Sequence, residues 1–194
     1  MYLDHPRKLA FVHNPKTGGR SIVKLLGFDD TDSFRFAHVY ANTFRKKFLQ
    51  DDWDKFFSFC VVRNPWERYV SLYRFQRSAI YAAMLRNNHS SVVAGRFGIN
   101  EWIEYNAMAD AKANWFGIDQ KRWWEGVTQV YRYEDLVSAM QELAARFGSV
   151  VPIPHDNASP VADSASRDEL NDRSKAIIAD LDRATIDKFG YVAN

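Results

Sequence analysis

The chain has 194 residues, enough for one well-packed domain and too few for two of ordinary size. Its 26 lysines and arginines against 24 acidic residues leave a net charge of +2, which gives no basic face for bulk nucleic-acid binding. The single cysteine, Cys60, excludes an internal disulfide and a multi-cysteine metal site. The first eight residues are polar and no window approaches the length of a membrane span. One domain over residues 1–194, located in the cytoplasm, is the expectation.

Residues 9–13 form a short apolar run that stops at Asn14-Pro15, the pattern of a buried strand ending in a loop. Ile22, Val23, Leu25 and Leu26 then recur at helical spacing, and Gly27 ends the segment. A second short strand is expected at 34–39 and a helix at 41–49. The strongest strand signal is the continuous run at 56–62, as expected for a strand covered on both faces. Asn64 is a good N-cap and Pro65 a good first helical residue, so a helix should run from there toward residue 86. Residues 87–98 are polar with two glycines and read as a mobile loop.

A helix is expected at 100–108, a strand at 127–131 and a helix at 134–147. Residues 150–163 hold three prolines without periodicity and should be irregular, and a single terminal helix is expected over 166–189. Strands alternating with helices predict an α/β fold: one three-layer domain, a mostly parallel sheet, and a P-loop-like strand–loop–helix anion site.

Two segments carry the chemistry. The first is Pro15-Lys16-Thr17-Gly18-Gly19-Arg20-Ser21, between the first strand and the first helix. A tight loop there aims backbone N–H groups into one concavity, and the helix N-terminus adds partial positive charge. The glycines permit positive φ and close approach. Lys16 adds a point charge, and Thr17 and Ser21 add hydroxyls. A Walker A loop places its lysine after the second glycine, whereas Lys16 precedes both, which disfavours an ATP or GTP hydrolase. The second segment, Arg63 to Ser71, repeats the arrangement: a basic residue at a strand end, then a helix start. Ser71 lies about two helical turns into that helix.

Together these motifs resemble the sulfotransferases that use 3′-phosphoadenosine 5′-phosphosulfate (PAPS). The first is similar to their 5′-phosphosulfate loop and Arg63 through Ser71 to their 3′-phosphate motif, in the family's order and roughly fifty residues apart. Tyr131-Arg132-Tyr133-Glu134-Asp135-Leu136 and Asp187-Lys188-Phe189-Gly190-Tyr191 are weaker echoes. The carbohydrate-type branch, with the heparan sulfate 2-O-sulfotransferases and Golgi chondroitin sulfotransferases, is the most similar. The chain is shorter than the Golgi enzymes and lacks their anchor, which suggests a small bacterial-like version.

The resemblance implies a sulfuryl transfer from PAPS to an acceptor hydroxyl, on a carbohydrate, without a metal. It places Lys16 at the leaving oxygen and Thr17, Gly18, Gly19, Arg20 and Ser21 around the 5′-phosphate. Arg63 and Ser71 fall at the 3′-phosphate, and His38 falls in the place of the catalytic base. Glu67 and Glu134 are the carboxylate alternatives. Arg20 departs from the family's usual threonine and would either reinforce phosphosulfate binding or face an acidic acceptor. Two other readings stay open from the residues alone: an ATP-dependent small-molecule kinase, and an inactive PAPS- or anion-binding module. Neither nucleic acid nor a membrane is an expected partner, and oligomeric state is not legible.

Overall fold

A computed structural model describes residues 1–28, 39–78, 89–108, 119–153 and 166–193. They gather into two compact units, one from residues 1–63 with 120–158 and one from 64–119 with 159–194.

The first unit is built on a four-stranded sheet in the order β1-β2-β3-β4: β1 Tyr2–Asp4, β2 Leu9–Val12, β3 Phe57–Val62 and β4 Gln129–Arg132. The β2–β3 and β3–β4 ladders are parallel and β1 is antiparallel to β2, so the α/β expectation holds. The short, half-buried β1 lay hidden in a polar opening stretch. Because side chains alternate along a strand, Leu9, Phe11, Phe59, Val61 and Tyr131 share one face. Two helices cover that face, α1 Gly19–Leu26 and, from later in the chain, Leu136–Phe147, through Ile22, Leu25, Leu26, Leu136, Met140 and Leu143. Ala10, Val12, Cys60 and Val62 alternate with these and are equally buried. Burial on both faces accounts for the uninterrupted apolar run of β3.

Ala41–Phe44 is helix α2, after which hydrogen bonding widens to a π turn over Arg45–Leu49 and tightens to a 3₁₀ segment over Gln50–Lys55. The expected helix at 41–49 is therefore present with altered pitch. The strand expected at 34–39 lies outside the described residues, apart from Val39, which is in neither a helix nor a strand.

The second unit is helical. Asn64 caps α3, Pro65–Arg77, by accepting from the N–H groups of Trp66 and Glu67, as its sequence predicts. The helix ends at Ser78, short of the expected extent. The mobile loop expected at 87–98 is corrected: His89–Arg96 is helix α4. Its buried Val93 and Ala94 are too short an apolar pair to stand out among polar neighbours. Helix α5 follows at Ile99–Met108. The expected terminal helix is also corrected. It breaks into a 3₁₀ turn at Arg167–Glu169, α8 Asp172–Leu181 and α9 Arg183–Phe189; the two helices that precede them in the chain, α6 Lys121–Trp124 and α7 Leu136–Phe147, belong to the first unit. Ser166 forms a capping box with Glu169, and Asn171 caps α8. Between α8 and α9, Asp182 leaves helical geometry and is fully buried 3.6 Å from the buried guanidinium of Arg68.

Arg7 ties the first unit together. Its guanidinium donates to the carbonyl of Leu26 at 2.7 Å and of Phe147 at 3.2 Å, the last residues of α1 and α7, and pairs with Asp4 at 2.6 Å. One cation thus satisfies orphan carbonyls at the negative ends of two helix dipoles. Arg7→Ala should lower stability by about 1–3 kcal/mol, and Arg7→Lys should not restore it, because an ammonium cannot span both carbonyls. Urea unfolding of the three proteins checks this.

Candidate active site

The loop between β2 and α1 takes its shape from two residues in the left-handed region, Lys16 at φ 69° and Gly18 at φ 77°. Gly18 is the N-cap of α1 and supplies no side chain. A Cβ there would stand 2.5 Å from Leu136 and 3.2 Å from Tyr133, and one on Gly19 would fall on the imidazole of His13. Both glycines are therefore required for close packing, and Gly18 for its backbone angle as well. Ser21 N–H bonds to the Gly18 carbonyl at 3.0 Å. The earlier N–H groups of the helix, at Gly19 and Arg20, have no intrahelical acceptor and remain for a ligand.

Thr17 is fully buried and its hydroxyl donates to the Asn14 carbonyl at 2.8 Å. Its side chain therefore braces the loop, and what it can offer a ligand is its backbone. Ser21 is half-buried and Arg20 exposed on the first turn of α1. Lys16 is half-buried. Burial, then the neighbouring Arg63, then Arg20, push its ammonium down to about 8.

Arg63 follows β3 directly. Its guanidinium lies 4.3 Å from the centroid of the Tyr133 ring and contacts the Lys16 carbonyl at 3.5 Å. Its backbone is held by a residue that the sequence gave no reason to single out. Gln120 Oε1 accepts from the Arg63 N–H at 3.0 Å, and Gln120 Nε2 donates to the Arg63 carbonyl at 2.9 Å. Asn14 Nδ2 donates to the same Oε1 at 2.9 Å and to the Val61 carbonyl at 3.2 Å. Both amides are fully buried. The first unit thus brings Lys16, Thr17, Gly18, Gly19, Arg20, Ser21 and Arg63 together.

Ser71 is half-buried on α3 in the second unit. Glu67, one of the carboxylate alternatives, pairs there with Arg167 at 3.7 Å. Glu134 pairs with Arg132 at 3.8 Å near the surface. His13 is buried, with its ring stacked on Phe11 and tilted against Tyr2. His38 lies outside the described residues. Trp123 is fully buried against Tyr40, a core role. Arg45 and Lys46 line a groove of about 430 Å³ beside the π turn, with Asn42, Gln50 and Asp51. Among the described residues no three His, Cys, Asp or Glu side chains gather in a metal-binding group, and no helix is long and apolar enough to cross a membrane.

A parallel strand, a positive-φ loop, a helix N-terminus and the cations of Lys16, Arg20 and Arg63 come together here, a combination with the chemistry to hold a multiply charged anion. The chain matches the model of the Sulfotransferase family over residues 1–188 and belongs to that family. It is a sulfotransferase, and its family generally uses PAPS as donor. No curated protein and no solved structure matches the chain. The missing side chains at Gly18 and Gly19 let this loop pack against Leu136, Tyr133 and His13.

Gly19→Ala should therefore weaken binding of 3′-phosphoadenosine 5′-phosphate (PAP) by about tenfold or more, because the new methyl must displace His13 or the loop. Gly95→Ala, on α4 with nothing within 4 Å of the added carbon, should leave PAP affinity unchanged. Isothermal titration calorimetry with PAP compares the two.

Proposed function

We propose that this sulfotransferase passes the sulfuryl group of PAPS to a hydroxyl on a carbohydrate by in-line displacement. In that step the bond between sulfur and the 5′-phosphate oxygen breaks, a bond from the acceptor oxygen to sulfur forms, and the acceptor proton moves to a base. Little covalent chemistry falls to the protein, so positioning and charge stabilisation carry the rate, as in phosphoryl transfer. Lys16 stabilises the developing charge on the leaving oxygen. The backbone of Thr17, Gly18, Gly19, Arg20 and Ser21 cradles the 5′-phosphate, with the Ser21 hydroxyl and the Arg20 guanidinium beside it. Arg63 and Ser71 bind the 3′-phosphate, and His38 takes the proton.

The observation that carries this reading is the convergence of Lys16, Arg20 and Arg63 on a loop that ends in a helix N-terminus. The ammonium of Lys16, depressed by burial first and then by Arg63 and Arg20, supports it: a buried cation beside two others is an arrangement that an anion relieves. The carbohydrate acceptor rests on the resemblance of the motifs to the carbohydrate-type branch. Neither the kinase nor the inactive-module reading gains support from the family match.

Thermal shift with PAP against ATP–Mg²⁺ tests the donor, since a ligand of the native state raises its apparent stability. PAP should stabilise the protein and ATP–Mg²⁺ should not; the reverse result refutes the reading. With radiolabelled PAPS and an unsulfated glycosaminoglycan oligosaccharide as the acceptor probe, Lys16→Ala should abolish transfer. His38→Ala should cut turnover while PAP affinity stays near that of the unaltered protein.

The pH dependence has a definite sign. Free Lys16 loses its proton as pH rises through about 8, whereas a bound phosphate favours the protonated form. PAP affinity should therefore fall as pH rises above that value, and Lys16→Ala should flatten the fall. Unchanged PAP affinity across roughly pH 7 to 9.5 would contradict the role given to the ammonium.

A further inference from the structure

The ladder between β3 and β4 ends at the pair Val62 and Arg132, so Arg63 lies one residue beyond the last paired position. Gln120 holds both backbone groups of Arg63 there. One primary amide accepts from the Arg63 N–H at 3.0 Å and donates to the Arg63 carbonyl at 2.9 Å, the two-bond exchange of an antiparallel pair, made here by a side chain just past a strand whose own two ladders are parallel. Asn14, just past β2, extends the pattern sideways, with its Nδ2 on Gln120 Oε1 and on the Val61 carbonyl. Gln120 is itself anchored: its carbonyl accepts the N–H of Trp123 at 2.9 Å, and Trp123 is fully buried against Tyr40.

Fixing both backbone groups of a residue fixes the direction in which its side chain leaves the main chain, and contacts further out choose among its rotamers. From that anchored start the Arg63 guanidinium reaches over Tyr133 and onto the Lys16 carbonyl. We propose that Gln120 is a positioning residue of the donor site, which sets Arg63 against the Lys16 loop by holding both of its backbone groups beyond the end of β3. The inference rests on the PAPS reading given above and adds to it a residue that touches no substrate.

The substitutions that test it exploit the amide's two-sided chemistry. Gln120→Leu keeps bulk and loses both bonds. Gln120→Glu keeps them only while protonated, since the acid O–H can donate to the Arg63 carbonyl and the carboxylate cannot. The charged and titratable groups around Lys16 are Arg63 at the end of β3 and Arg20 on α1, with His13 beneath the loop at Gly19. Releasing Arg63 removes one of the two cations that hold the Lys16 ammonium down.

Calorimetry with PAP as the probe, repeated across pH, gives the readouts. Gln120→Leu should bind PAP about 10- to 100-fold more weakly, and the alkaline fall in its affinity should move to higher pH than in the unaltered protein. Gln120→Glu should bind PAP nearly normally in acid and lose affinity as its carboxyl ionises. Arg7→Ala, which loosens the same unit away from the site, should lower the melting temperature and leave PAP affinity unchanged.

PAP affinity of Gln120→Leu within twofold of the unaltered protein, with the alkaline fall unmoved, overturns the proposal. So does a Gln120→Glu affinity deficit that is equal at every pH. If Gln120→Leu does not fold, Gln120→Glu decides alone, because its protonated form is isosteric with the amide. If the unaltered protein itself ignores PAP, the donor reading fails instead.

Discussion

The N-terminal turn of α1 can face an anion only because residue 19 carries no side chain. Its Cα lies against the ring of His13, so the helix begins almost on top of the strand that precedes it. That closeness lets a four-residue strand deliver a helix start to the carboxyl end of the parallel strands. Gly18 meets the same demand from the other side, against Leu136 and Tyr133. Those two contacts draw in the start of α7, so the loop is braced by residues more than a hundred positions away.

Around this junction the electrostatics are deliberately unbalanced. Arg20 sits in the first turn of α1, where a helix dipole disfavours a cation, and no acidic residue shares that turn. Lys16 and Arg63 add two more positive charges. Neutral contacts help to hold Arg63 there: a tyrosine face under its guanidinium and two amides behind it. Neutral braces suit a site of this kind, because a carboxylate in their place would compete with the ligand for the same cations.

Much of this was legible in residue order. The apolar runs of β2 and β3, the Asn64-Pro65 start of α3 and the glycines before α1 each obey local rules, and local rules are what a sequence displays. Three features were not legible for a common reason. Gln120 and Asn14 are polar residues in turns, and only a partner 57 or 106 residues away gives them meaning. The break at Asp182 depends on the buried Arg68, far upstream. Helix α4 hides because Val93 and Ala94 are its buried apolar residues, and a pair that short sets no period. Thr17 illustrates a subtler loss: the residue type suggested a ligand contact, while burial turned its hydroxyl inward to Asn14.

The bonds between Arg63 and Gln120 also have a topological meaning. They join the two points at which the chain leaves the sheet-bearing unit and returns to it, so the intervening 64–119 segment departs and re-enters at nearly the same place. A segment with adjacent ends behaves as an insertion, and its length can change at little entropic cost to the body that hosts it. The clasp at Arg63 and Gln120 thereby keeps the ends of the excursion in register with the sheet whatever its length.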